Sequence, residues 1–121
     1  ESPMSTEISF GQVVIDSTDP NRLAGFYADL LGRPVAPGGN PFMARIAGGD
    51  GFPGLMFLAV PEPRTGKNRL HIDFETPDYR AAADRAVQLG GSRVGEYQEY
   101  GVAWVTVADP EGNVFDIGRP H

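Results

Sequence analysis

The sequence predicts one α+β domain made of two β-α-β-β-β units, whose mixed β-sheet curls around a cleft and carries the helices on the outside. Three observations predict it. A strand–turn–helix pattern occurs twice, β-type stretches separated by glycine and proline follow each helix, and 121 residues is a usual length for one domain. We expect the domain to span residues 8–118, with a first unit at 8–60, a linker at 61–69 and a second unit at 70–118.

The first unit starts with a strand and an amphipathic helix. Apolar residues dominate positions 10–15, as in a strand. Asp19 can cap the free amides of a helix, Pro20 fits the first helical position, and Gly32 is expected to end the helix. Between these limits, apolar residues recur at three- and four-residue steps on one face, namely Leu23, Phe26, Leu30 and Leu31.

The second unit repeats this plan. A short strand of alternating apolar residues precedes a helix predicted at about residues 79–89, which a glycine pair ends. Gln12 lies seven positions before Asp19, and His71 lies seven positions before Asp78 (12 to 19, and 71 to 78). The two halves therefore form an internal repeat.

Further strands are predicted after each helix, from stretches of high β-propensity bounded by turn residues. They lie at 34–35, 42–46 and 55–60 in the first unit and at 92–97, 102–107 and 114–117 in the second. The linker between the units is rich in proline, glycine and charge, which is typical of a connecting segment. Two half-sheets of this kind enclose a cleft, and ligand chemistry is expected there.

Composition excludes several classes of function. The chain has no cysteine, so disulfides, thiolate zinc sites and cysteine nucleophiles are excluded. A net charge of −6 without a run of basic residues argues against nucleic acid as a partner. With no transmembrane stretch and no recognisable signal peptide, we expect no membrane partner and a cytoplasmic location. Residues 1–7 are interpreted as a tag remnant and a flexible N-terminus, because Met4 would serve as a native start.

Several stretches resemble a known family. Residues 17–27 with Leu30–Gly32 are similar to the first unit of glyoxalase-like proteins of the vicinal oxygen chelate (VOC) superfamily. Residues 60–73 and 108–113 are similar to signature stretches of one glyoxalase-like subgroup, and the resemblance covers roughly residues 8–118. It implies the glyoxalase/bleomycin-resistance/dihydroxybiphenyl dioxygenase fold, which supports isomerases, dioxygenases, antibiotic-modifying enzymes and proteins that only sequester drugs.

The resemblance also implies a site. In metal-dependent relatives, ligands come from the first and last strand of each unit, and the matching positions here are Gln12, Phe57, His71 and Asp116, with Leu58 replacing Phe57 if the register differs by one. Phe57 and Leu58 cannot bind a metal. Gln12, His71 and Asp116 remain as a set that would hold a divalent ion weakly, such as Fe, Mn, Ni or Zn. Without a metal, His71 oriented by Asp116 would act as a general base, and Gln12 would contact the substrate.

A second group of candidates would contact the ligand. The aromatic residues Phe57, Tyr97, Tyr100 and Trp104 fall on or beside predicted strands and would offer flat surfaces and phenol groups to a planar molecule. Core packing is the alternative for these residues. Arg69 would meet an anionic substrate, or else remain solvated at the rim of the cleft.

Three functions fit these residues. The first is a small-molecule enzyme in which His71 and Asp116 perform lyase- or isomerase-type proton transfer on an oxygenated metabolite, with or without a weakly held divalent ion. The second is a non-catalytic antibiotic- or metabolite-binding protein of the bleomycin-resistance kind. The third is a divalent-metal dioxygenase that uses Gln12, His71 and Asp116. Each requires a small-molecule ligand, and the resemblance implies a homodimer.

Overall fold

The computed structural model describes residues 8–120, so the tag remnant predicted at residues 1–7 lies outside the described part. Two helices and seven strands follow one another in this range. In chain order they are β1 (Gln12–Ser17), α1 (Pro20–Leu31), β2 (Met43–Ile46), β3 (Gly54–Ala59), β4 (Asp73–Glu75), α2 (Tyr79–Gln88), β5 (Ser92–Glu99), β6 (Val102–Ala108) and β7 (Val114–Gly118). Within residues 8–120, neither helix is long and apolar enough to cross a membrane.

The strands form two mixed sheets that share one plan. The first sheet has the order β1-β3-β2, and the second has the order β4-β7-β6-β5. In each sheet the first strand of the unit pairs in parallel with its last strand, β1 with β3 and β4 with β7, while the other pairs are antiparallel. The predicted α+β class and the internal repeat are confirmed.

Both helices begin and end at the predicted signals. Asp19 accepts a hydrogen bond from the Arg22 amide at 3.3 Å, and Pro20 is the first helical residue of α1. Gly32 ends α1 in the left-handed conformation, with φ of 67°, where a side chain would be strained. Helix α2 ends at Gln88, one residue before the predicted limit.

The core lies between the helices and the sheets. Tyr27 of α1 stacks on Phe57 of β3 with a ring-centroid distance of 5.7 Å, and its ring also contacts Phe115 of β7 at 5.6 Å. On α2, the small residues Ala83 and Ala86 are fully buried. One continuous apolar cluster therefore spans both units.

The first unit differs from the prediction at one strand. Residues 34–35 are not a strand, and the segment makes a single backbone hydrogen bond, from the Ala36 amide to the Arg45 carbonyl at 2.8 Å. Pro34 has no amide hydrogen to donate, so this stretch cannot extend the sheet. The first strands of both units also begin later than predicted, at Gln12 and Asp73.

The two units are joined at the turn between β6 and β7. Glu111 in this turn accepts hydrogen bonds from the Ser17 hydroxyl at 2.5 Å and from the Thr18 amide at 2.9 Å. Asp109 in the same turn is buried and accepts a hydrogen bond from the Tyr27 hydroxyl. The acidic residues of this turn thus connect the second unit to β1 and α1 of the first.

Candidate functional site

Each sheet has one face against a helix and an opposite face, which we call the open face. In β6 and β7 the buried residues point towards the helices, because side chains alternate along a strand. The alternate residues lie on the open face of the second sheet, and Trp104, Thr106, Asp116 and Gly118 are among them. A surface that the helices do not cover therefore carries a tryptophan, a hydroxyl group and a carboxylate.

An imidazole and two carboxylates meet at the edge of this face. His71 Nε2 lies 3.4 Å from Asp73 Oδ1 and 3.5 Å from Asp116 Oδ2. Asp73 and Asp116 are paired residues of the parallel strands β4 and β7, so their side chains lie side by side. The His71 side chain is 54% exposed and that of Asp116 is 21% exposed. The imidazole is thus held by two acids yet accessible to a ligand.

Asp116 is fixed from its other side. Thr106 Oγ1 donates a 2.5 Å hydrogen bond to Asp116 Oδ1, and the two residues are direct partners on β6 and β7. Because this bond occupies Oδ1, the second oxygen, Oδ2, is the one that lies towards His71. The carboxylate has a defined orientation as a result.

The same three residues form a donor set for a cation. One donor atom from each of His71, Asp73 and Asp116 lies within 4.8 Å of the others. Imidazole nitrogen and carboxylate oxygen are the ligands that Zn, Fe, Mn and Ni take in proteins. The chemistry of this set fits a divalent ion.

Gln12 is the third residue of the predicted ligand set. Its amide nitrogen contacts Met56 Sδ at 3.9 Å, and within residues 8–120 it makes no hydrogen bond to His71 or Asp116. Asp73, which the sequence argument misses, contacts His71. The signal that would have found it is strand alternation, since residue 73 is two positions after residue 71 and shares its face.

An aromatic wall continues the open face beside the acids. Tyr97 and Trp104 are cross-strand partners whose rings stack at a centroid distance of 5.5 Å and an angle of 28°. Tyr97 lies over Gly95, where a side chain would collide with the ring. Gly118 leaves similar room for Trp104, because a Cβ at Gly118 would lie 3.3 Å from Trp104 Cβ. The two glycines allow the rings to lie close to the sheet.

A cavity of about 300 Å³ lies between this wall and the acids, and we call it the acidic cavity. Four carboxylate residues border it and Arg119 is its single basic residue. Tyr100, at the turn between β5 and β6, borders it as well and is 96% exposed. Its lining consists of Asp73, Phe74, Glu75, Glu99, Tyr100, Val102, Trp104, Asp116, Gly118 and Arg119.

The prediction that Phe57 lines the ligand cleft is wrong. Phe57 is fully buried and stacks on Tyr27 in the core. Its neighbours Met56 and Leu58 point to the open face of the first sheet instead, because β3 is offset by one residue from the predicted register. Arg69 does not border the acidic cavity; it borders a second cavity, which His71 also lines.

Taken together, the duplicated unit and the open-faced sheets define a class of small α+β domains with a site built on strand residues. A family model described as "Glyoxalase-like domain" matches residues 12–118. The chain therefore belongs to the glyoxalase-like domain family, within the VOC superfamily, as the sequence resemblance predicts. A search of curated protein sequences gave no significant match.

Solved structures agree with this fold. A glyoxalase/bleomycin resistance protein/dioxygenase family enzyme from Burkholderia phytofirmans PsJN is 20% identical, with a TM-score of 0.76 over 93% of this chain and 98% of that one. Lactoylglutathione lyase from Agrobacterium tumefaciens is 17% identical, with a TM-score of 0.63 over 94% and 95% of the two chains. The bleomycin-binding protein from Streptomyces verticillus, solved with copper(II)-bleomycin, is 16% identical, with a TM-score of 0.67 over 96% and 99%. These similarities establish the fold.

Proposed function

We propose that the protein is a small-molecule enzyme of lyase or isomerase type, in which His71 moves a proton on an oxygenated metabolite. The observation that carries this proposal is the position of His71 Nε2, 3.4 Å from Asp73 and 3.5 Å from Asp116, on an accessible surface. An imidazole accepts and donates protons near neutral pH. Two carboxylates orient it and stabilise the imidazolium that forms when it takes a proton.

The reaction that suits this arrangement is proton transfer next to a carbonyl group. His71 would remove a proton from the hydroxyl-bearing carbon beside the carbonyl, and the electron pair of that C–H bond would form the C=C bond of an enediolate, with the negative charge on the former carbonyl oxygen. The hydroxyl proton would pass to that oxygen, and the imidazolium would return the first proton to the former carbonyl carbon. The carbonyl and hydroxyl groups thereby exchange places without an added oxidant or reductant. Thr106 supports the step by holding Asp116 in place.

A divalent ion is compatible with the same residues. His71, Asp73 and Asp116 would hold it, and a metal of this kind polarises a carbonyl or hydroxyl oxygen when bound. Gln12, the third predicted ligand, has its amide nitrogen against Met56 Sδ, and its part in binding the ion stays a prediction.

Solvent exchange by NMR tests the proposal. The wild-type protein in D₂O should accelerate hydrogen–deuterium exchange at the carbon beside the carbonyl in members of a panel of small hydroxyketones, with dihydroxyacetone as the first compound. His71→Gln should abolish the acceleration, whereas Asp29→Asn, an exposed acid on α1, should retain it. Equal exchange by the wild type and His71→Gln across the panel would overturn the proposal.

A second candidate function is binding without turnover, and the aromatic wall favours it. The Tyr97–Trp104 stack lies beside an acidic cavity with four carboxylates and one arginine. Flat aromatic faces and carboxylates together attract planar organic cations. A protein that sequesters such a cation needs no imidazole chemistry.

Fluorescence distinguishes this candidate. Trp104 is the single tryptophan, so quenching of its emission reports directly on the acidic cavity. N-methylquinolinium should bind about tenfold more tightly than neutral quinoline, and Glu99→Gln should reduce the difference. Equal quenching by the cation and the neutral compound would exclude the cation-binding function.

We also infer that the protein forms a homodimer. Val14 and Leu58 on the open face of the first sheet are 46% and 37% exposed, and Tyr97 on the second sheet is 42% exposed. A second copy of the chain would remove these apolar surfaces from water. The small molecule would then lie between the open faces.

A further inference from the structure

A second cavity, of about 360 Å³, is bordered by His71, which does not line the acidic cavity. Residues 60–72, which join β3 to β4, run over it, and we call this segment the strap. Strand β1 forms the opposite wall, and the first residues of β7 close one side. We call the enclosed space the strap cavity.

The strap is fixed at both ends. The Val60 amide donates to the Ser17 carbonyl at 2.8 Å, and the Asp116 amide donates to the Ile72 carbonyl at 3.0 Å. In between, Asn68 Nδ2 contacts the carbonyls of Leu70 and Val114 at 3.3 and 3.2 Å. The strap is thereby attached to β1, to β7 and to itself, which fixes the course of its backbone beside the cavity.

Basic residues are concentrated on the strap. Three of the ten Lys and Arg residues, Arg64, Lys67 and Arg69, fall within residues 64–69, and Lys67 is the only lysine. All three border the strap cavity. Within residues 8–120, none of the three takes part in an ion pair; Arg80 and Arg93 are the two Lys or Arg residues that do.

Arg64 is held in place without being neutralised. Its Nη2 donates to the Gly66 carbonyl and to Asn68 Oδ1, the latter at 2.9 Å. The stem of the side chain lies against Gly112, where an added Cβ would be 3.4 Å from Arg64 Cδ. These partners are neutral, so the positive charge and the remaining donors of the guanidinium stay available to a ligand.

The acids around the strap cavity do not cancel these charges by contact. Glu111 keeps its negative charge, but both of its oxygens are turned to the donors of Ser17 and Thr18. Asp16 and Glu62 also border the cavity and are exposed, as the three cations are, and within residues 8–120 neither forms an ion pair with them. Three cations without an acidic contact therefore border one cavity of a chain with a net charge of −6, and this arrangement suits an anionic ligand.

We propose that the strap cavity binds the carboxylate or phosphate group of a small organic molecule, with Arg64, Lys67 and Arg69 as its donors. Arginine presents a planar fork that matches either oxyanion, and lysine adds a point charge. His71 forms one end of the cavity, so a ligand held by the strap extends towards the imidazole. The site depends on the strap alone and stands whether or not His71 transfers protons.

Titrations followed by ¹⁵N–¹H NMR test this site, with inorganic phosphate and succinate as probes and chloride holding the ionic strength constant. Saturable shifts are expected for the amides of Gly66 and Gly112 and for the side-chain amide of Asn68. Neutral succinamide should produce none. Shifts with phosphate alone, with succinate alone or with both support the site and identify the oxyanion that it accepts.

The double variant Lys67→Gln/Arg69→Gln should weaken binding at least about tenfold, since two charged donors are lost. Arg22→Gln/Arg45→Gln is the matched control, because it removes two exposed charges away from the strap cavity and should change the Kd by less than about twofold. His71→Gln should retain binding, which separates this test from that of proton transfer. Absence of saturable shifts, or an equal loss in both double variants, would overturn the proposal.

Discussion

The hydroxyl of Tyr27 donates a 2.7 Å hydrogen bond to Asp109 Oδ2, and this bond joins α1 of the first unit to the β6–β7 turn of the second. Both residues are buried. The other carboxylate oxygen of Asp109 accepts hydrogen bonds from the backbone amides of Glu111 and Asn113, at 2.8 and 3.0 Å. Asp109 therefore has donors on both oxygens, and the Tyr27 hydroxyl is the one supplied by the other unit.

Removing this hydroxyl should destabilise the whole domain. In Tyr27→Phe, Asp109 loses a donor in a place that water enters poorly, so the free energy of unfolding should fall by about 1–3 kcal/mol. Urea unfolding followed by circular dichroism measures the change. Tyr100→Phe serves as the control, because that residue is almost fully exposed and its hydroxyl should contribute little. An equal effect of both substitutions would contradict a role for the Tyr27–Asp109 bond.

The same tyrosine should make stability depend on alkaline pH. Burial, and then the neighbouring charge of Asp109, raise the pKa of the Tyr27 phenol above its ordinary value of 10.0. In the unfolded chain the phenol ionises near pH 10, while in the folded protein it stays neutral. Its contribution to stability is therefore complete below pH 10 and is lost as the pH rises above it.

Urea midpoints between neutral pH and pH 11 measure this loss. The wild type should lose stability steadily above pH 10, and Tyr27→Phe should lose less over the same interval. Absorbance of tyrosinate should show a component that appears only on unfolding in the wild type and is missing from Tyr27→Phe. Parallel pH profiles for the two proteins would argue that another group is responsible.

The helices could be predicted from the sequence because their signals are local. Asp19, Pro20 and Gly32 act through bonds within four residues, and the structure has all three at the expected positions. The strand predicted at 34–35 fails for the opposite reason. A short β-type stretch becomes a strand only when a partner elsewhere in the chain pairs with it, and Pro34 offers that partner no donor.

The candidate site was predictable only in part. The resemblance to the VOC superfamily implies that His71 and Asp116 share a site, and the structure places them 3.5 Å apart. The resemblance does not fix the register of β3. A shift of one residue moves a side chain from the open face to the core, and Phe57 is buried for this reason. The contact of Asp73 with His71 could have been predicted, since residues two positions apart share a strand face. The approach of Asp73 to Asp116 depends on the pairing of β4 with β7, which sequence spacing does not show.

Thr106 should act as a positioning residue for the His71 site. Its hydroxyl holds Asp116 Oδ1, so Thr106→Val should free the carboxylate to rotate while preserving the size of the side chain. Affinity for Mn²⁺ or Zn²⁺ in calorimetric titrations should fall about tenfold, as for other partners of metal ligands. Thr106→Ser keeps the hydroxyl and should restore most of the affinity.

Two further variants make this test specific to the site. Asp73→Asn and Asp116→Asn each remove a charged metal ligand and should lower the affinity for the ion more than Thr106→Val does. Asp29→Asn should have no effect, since this exposed acid on α1 is not part of the cluster. If Thr106→Val binds the ion as the wild type does, the hydrogen bond to Asp116 does not position the carboxylate.

Finally, a charge on the open face of the first sheet should prevent self-association. Val14 lies on this face beside Met56, its partner on β3. The side chains of both residues point away from the core that packs against the helix. Val14→Asp would bring a carboxylate into any interface between two open faces, at a desolvation cost that a dimer would have to overcome. Multi-angle light scattering should give twice the chain mass for the wild type and the chain mass for the variant.

Val87→Asp, at a comparably exposed valine on α2, should remain dimeric because the helix lies on the opposite side of the domain. A wild-type protein with the mass of one chain, or a Val14→Asp variant that still has twice that mass, would show that the open faces do not pair.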